Sequence, residues 1–166
     1  MCSSHAAHGR RFATSELRQS SVPRTLHLHW PTLHDDRAAA QLRNATHALG
    51  RISPLVASGA RHIEIGIDGL QVRNGDESAV ASAALRAVAT HIRTAPRAAI
   101  ASSRLAAAVA ATVSEVGTVG GADDAACTIL PPGSEAEFLA PQRVEALRFA
   151  ATGRSSEELA EAIERC

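Results

Sequence analysis

The sequence predicts an α+β domain in which two helices pack on one face of an antiparallel sheet, before a further helix, a strand and a helical tail. Two short segments, Thr25 to Trp30 and His62 to Leu70, alternate apolar and polar residues one by one, the period of a half-buried strand. Three longer segments repeat apolar residues at spacings of three and four, the stripe of an amphipathic helix. Glycines and prolines punctuate these segments into the order β-α-β-β-α-β. A chain of 166 residues is long enough to bury one core without staples.

Residues 1–22 are rich in Ser, Ala, His and Arg, show no sustained period and end at Pro23, so they are expected to form a flexible N-terminal arm. The α+β domain is expected over 23–150. Its first strand, Thr25 to Trp30, is stopped by Pro31. Asp35 or Asp36 can cap a helix carrying Ala38, Leu42, Ala45 and Leu49, closed by Gly50. Ser53 to Ser58 and His62 to Leu70 read as the arms of a hairpin turning at Gly59. After Asn74-Gly75-Asp76 comes a helix of about 77–94 with Ala81, Leu85, Val88 and Ile92 inward, broken by Pro96. Arg97 to Ala101 is a short strand. Ser102 or Ser103 caps a third helix with Leu105, Val109, Val113 and Val116 inward, ended by Gly117, Gly120 and Gly121. Cys127 to Leu130 is the last strand. Helical pieces at about 134–149 and 155–164 follow, and a C-terminal helix occupies 151–166, with Ser155 and Glu158 spaced as a capping box.

The first six elements define the split βαβ, or ferredoxin-like, architecture. It sets the first and third strands side by side, puts both helices on one face and leaves the other face open.

Composition excludes several function classes. The formal net charge is zero and every basic residue is Arg, so the chain lacks the general basic footprint of a strong nucleic-acid binder. Cys2, Cys127 and Cys166 are scattered and form no CxxC pair, which favours neither a disulfide framework nor a thiolate zinc site. Arg10-Arg11-Phe12 is followed by no apolar stretch, which argues against an export signal. No window approaches the roughly 18 apolar residues of a membrane helix. A soluble, cytoplasmic protein is expected.

Side-chain parity then singles out candidate residues. Ile63, Ile65 and Ile67 share one side of their strand, so the helices must cover that side. His62, Glu64 and Asp68 take the other side, and by the same alternation His27 and His29 join them from the first strand. The plain reading is a solvent-facing row on a half-exposed sheet. The sharper one is a metal site, because imidazoles about 7 Å apart along a strand and a carboxylate suit zinc. No HxxxH or HExxH spacing supports it, and no metal or other cofactor is expected. His34 and His47 read as loop and helix-surface positions, and His91 as a core-edge residue. The Gly-rich VGGADDA run matches no phosphate-loop spacing and reads as a helix stop.

The same residues carry a resemblance. SPLVASGARHIEIGIDGLQV looks like the palm hairpin of a Y-family DNA polymerase, and RAAIASSRLAAAVAATVS is similar to the strand and helix that follow it there. ILPPGSEAEFLAPQRVEALR and the opening LHWPTLHDDR resemble the corresponding segments of ImuB-type members of that family. Together these segments cover about residues 25–148.

The resemblance implies a palm with its catalytic acids missing. Asp68 falls on the family's hairpin aspartate, but Gly69 stands where the family has glutamate, and the first strand carries His27 and His29 instead of aspartate. One carboxylate cannot hold two divalent cations against their mutual repulsion. Only Asp35 to Gly50 separates the first strand from the hairpin, too little for a fingers subdomain. The implied role is non-catalytic: an accessory protein in DNA damage tolerance and translesion synthesis. Its expected partners are an error-prone polymerase, a RecA-like protein and the sliding clamp, with any DNA binding weak. The alternative is a small ligand- or metal-binding regulatory domain on the same sheet.

Overall fold

The alternation after Arg24 forms the middle of the sheet. A computed structural model describes residues 22–33, 37–71, 75–114, 127–143 and 147. In it β1 (Thr25–His29) pairs antiparallel with β3 (His62–Gly66) on one side and with β4 (Arg97–Ala101) on the other. β2 (Val56–Ser58) lies outside β3, and β5 (Cys127–Ile129) lies outside β4 and parallel to it. The order β2-β3-β1-β4-β5 is the split βαβ sheet extended by one strand, and that parallel fifth strand makes it mixed.

Parity builds the first face as expected. Leu26 faces Ile65 and Ile100 across the ladders, and Leu28 faces Ile63 and Ala98. Helices α1 (Ala38–Leu49) and α2 (Glu77–Ala89) close over them with Leu42, Ala45, Leu49, Val80, Ala84 and Val88. Each buried Leu or Ile contributes about 1.5–3 kcal/mol by leaving water, so this face carries most of the hydrophobic stabilisation. Trp30 is fully buried beside it and satisfies its indole by donating from Nε1 to the Thr94 carbonyl at 2.9 Å.

Several elements are shorter than their sequence pattern. β3 ends at Gly66, although Ile67 stays buried and its N–H still donates to the Arg24 carbonyl at 3.0 Å. α2 ends at Ala89, where the Thr90 hydroxyl bonds back to the Ala87 carbonyl. Asp76 caps that helix, accepting from the Ala79 N–H. The caps expected at Asp35 or Asp36, the glycine stop at 117–121, the arm up to residue 21 and the helix at 151–166 lie outside the described residues.

The second face is not open over its centre. Helix α3 (Arg104–Val113), capped by the Ser103 hydroxyl, lies across β4 and β1 on the side away from α1 and α2. Ala106, Ala107, Ala110 and Ala111 meet Ala99 and Ala101 of the sheet, and Phe138 and Leu139 of α4 (Glu135–Leu139) pack against the same cluster. The stripe expected inward on α3 is only partly so. Val109 is buried, but Leu105 and Val113 are turned outward. Alanine against alanine lets the helix approach β4 closely, and that spacing leaves no room for longer side chains at Ala99 and Ala101.

This placement has a topological consequence. The β1–α1–β2 and β4–α3–β5 connections both join parallel strands and step toward a sheet edge in the same sense relative to strand direction. With α1 and α3 on opposite faces, the two crossovers have opposite hands. One of them therefore departs from the right-handed rule that nearly all such connections obey.

Candidate functional site

Four of the five residues singled out from the sequence converge on the second face, beneath and beside α3. In the register His27 lies between Glu64 and Ala99, and His29 lies between His62 and Arg97. Because α3 crosses β1, His27 and His29 are only 5% and 4% exposed. The expectation that they front an open face fails for that reason. His62 and Glu64 keep partial access to solvent.

The imidazoles of His27 and His62 stack with ring centroids 5.0 Å apart and planes 20° from parallel. Gly59 makes room for that stack. A Cβ at residue 59 would come within 2.2 Å of the His62 Cε1, so the ring rests directly on the glycine. The hairpin turn that places it is closed by the Gly59 N–H donating to the His62 carbonyl at 2.9 Å.

Glu64 is clasped from above. Arg104, in the first turn of α3, donates to Oε2 from Nε at 2.7 Å and also from Nη2. His27 Nδ1 lies 3.6 Å from Glu64 Oε1, beyond hydrogen-bond length, and has no hydrogen-bond partner among the described residues. The His27 imidazole and then the Arg104 guanidinium draw the Glu64 carboxyl down to about 2, against burial, which acts to raise it. Burial first, and then the charges of His27, Arg61, His62 and Arg97, hold the His29 imidazole down to about 4. His62 is lowered by burial and by His27, with Glu64 opposing. At neutral pH the cluster is thus an ionised carboxylate among imidazoles, two of which resist protonation. Its central ring is too enclosed to reach a substrate.

Asp68, the fifth residue, is elsewhere. It follows β3 in a turn, two residues past Gly66, which is paired with Thr25 at the far end of the ladder from His29. Its Oδ1 accepts the Arg24 N–H at 2.7 Å. The next residue, Gly69, takes φ +74°, a backbone conformation that L side chains rarely adopt.

A second polar cluster was missed from the sequence. Arg24 is 5% exposed, and its guanidinium grips Glu77 at the start of α2 through Nε at 2.7 Å and Nη2 at 2.8 Å. It also donates to the Ser102 hydroxyl at 3.1 Å and to the Leu130 carbonyl at 2.8 Å, with Glu135 at 3.9 Å. Glu135 in turn accepts the Ser102 and Gly133 N–H groups, each at 2.9 Å, and the Ser102 side chain foremost, then backbone N–H groups, hold its carboxyl at about 2. No local spacing links residues 24, 77, 102 and 135, so no sequence pattern could have announced the knot.

Two further features complete the chemistry. A cavity of about 520 Å³ opens between the β1–α1 and α2–β4 connections, lined by Gln41, His91, Arg93 and Thr94 among others. The Cys127 thiol is pushed up to about 12 by burial and by Glu77, so it is no thiolate at neutral pH.

Among the described residues, no three His, Cys, Asp or Glu side chains are arranged to hold a metal ion, and no helix is long and apolar enough to cross a membrane. No protein family, curated protein or solved structure matches the chain.

Proposed function

We propose that this chain is a non-catalytic, palm-like accessory protein of DNA damage tolerance, acting in translesion synthesis through protein contacts. The observation that carries the non-catalytic reading is the backbone at Gly69. The Y-family palm resemblance asks for a glutamate beside Asp68, yet residue 69 takes φ +74° and would strain any side chain placed there. Asp68 is itself engaged by the Arg24 amide. The first-strand positions that would have to supply another carboxylate are His27 and His29, both buried under α3. The split βαβ sheet with β1 and β3 paired is compatible with a palm, and the sequence likeness over about 25–148 supplies the rest of the reading.

Primer extension with magnesium or manganese should yield no product from the wild type or from Gly69→Glu. Incorporation that disappears in Asp68→Asn would overturn the inactive palm. The accessory role is tested on purified components. Binding to at least one of an error-prone polymerase, a RecA-like protein or a sliding clamp is expected, and binding to none of them removes the role.

The 520 Å³ cavity favours a second reading, a small regulatory domain for a ligand with an anionic group, since its size falls in the range of ordinary ligand sites and Arg93 and His91 line it.

A further inference from the structure

The imidazole cluster is built in a way that the palm reading does not use. Among the described residues, polar ties hold α3 to the second face near its two ends. At its first turn Arg104 clasps Glu64, and at its last turn the Arg97 guanidinium donates from Nη1 to the Thr112 carbonyl. Between them the contact is alanine on alanine, with little area per residue. Directly beneath lie His27 and His29, with His62 stacked on His27 from the next strand.

The charged and titratable groups described around this interface come from four elements and the turn before β3. β1 supplies His27 and His29, and β3 supplies His62 and Glu64. Arg61 precedes β3, β4 supplies Arg97 and α3 supplies Arg104. Glu64 is shared between the His27 imidazole and the Arg104 guanidinium. A single added proton can be shared near Glu64. A second would set two cations about 5 Å apart, the spacing of the stacked rings, in a space enclosed by α3. Water must then reach the rings, and for His27 and His29 it is α3 that stands in the way.

We propose that His27, His29 and His62, the last seated on the Gly59 turn, form beside the Arg104–Glu64 clasp an acid-opened latch that holds α3 on the sheet and releases it on protonation. Opening uncovers the alanine surface of β4 and the imidazole row of β1, a face otherwise closed. The device does not depend on the palm reading.

Hydrogen–deuterium exchange of the full chain, corrected for intrinsic rates, tests it between about pH 7.5 and about pH 5. If release returns His29 from about 4 to 6.5, opening rises roughly thirtyfold by about pH 5. The amides of α3 should lose protection by that factor while those of β1 keep theirs. Equal loss in α3 and β1, or no loss in α3, overturns the latch. A double variant, His29→Gln with His62→Phe, keeps a ring on Gly59 but removes two protonation sites, and should leave α3 protection nearly independent of pH over this range. Unchanged acid sensitivity in that variant also overturns it. Should the variant not fold, the imidazole resonances of the wild type decide. Protonation of His29 and His62 should coincide with the loss of α3 protection, and their titration near pH 6.5 with α3 intact sinks the proposal.

Discussion

The two faces of this sheet are made by the same strands and differ in almost every physical respect. On one face Leu26, Leu28, Ile63, Ile65 and Ile100 meet two helices through large branched side chains. On the other, His27, His29, His62 and Glu64 alternate with them residue by residue and meet a single alanine-rich helix. The first face is stabilised by area removed from water. The second is stabilised by close approach, one clasp and the exclusion of protons. A domain built this way has a robust side and a conditional side, separated by the thickness of one strand.

Paired substitutions sharpen the contrast most strongly. Ile65→Ala opens a cavity in the aliphatic layer and should cost about 2–5 kcal/mol in urea unfolding. Ala107→Leu on α3 forces a larger group into a contact that admits only a methyl, and should cost about 1–3 kcal/mol. If Ala107→Leu proves neutral, α3 does not sit as tightly as described. If it exceeds Ile65→Ala, the ranking of the two faces is reversed.

Acid should strike the second face before the first. The folded His29 value of about 4 lies below the ordinary 6.5, so the native state favours the neutral ring. Its contribution to stability is fully present above about pH 6.5 and is lost as pH falls toward 4. Glu64 is shifted from 4.5 to about 2, so its contribution is present above 4.5 and is lost as pH falls toward 2. His62 adds to the first window, since its ring is also lowered. Urea midpoints should therefore decline from about pH 6.5 downward, where ordinary carboxylates are still ionised. A flat profile between neutrality and about pH 5 would mean that the imidazoles are wetter than their burial implies.

Parts of the candidate site were legible before any coordinates. Alternation alone put His27, His29, His62 and Glu64 on one side of two strands and paired them correctly with the apolar side. The alternation runs on through Ile67 and on that pattern includes Asp68 in the row, but the strand stops at Gly66 and a turn carries Asp68 to the Arg24 amide. The stack on Gly59 could have been suspected only from the glycine at the hairpin turn. The Arg24 knot joins residues 24, 77, 102, 130 and 135 and left no trace in any spacing.

By itself the sequence determined side-chain parity, the order of elements and the makeup of the aliphatic layer, because these follow from periods that each segment carries locally. Only the tertiary structure decided where α3 lies. Six consecutive residues of that helix, Ala106 to Ala111, are buried, so its pattern names no single face. The right-handed crossover rule would have placed it beside α1 and α2 and left His27 and His29 open to water. Which face it covers depends on packing between segments far apart in the chain, above all the fit of its alanines onto Ala99 and Ala101.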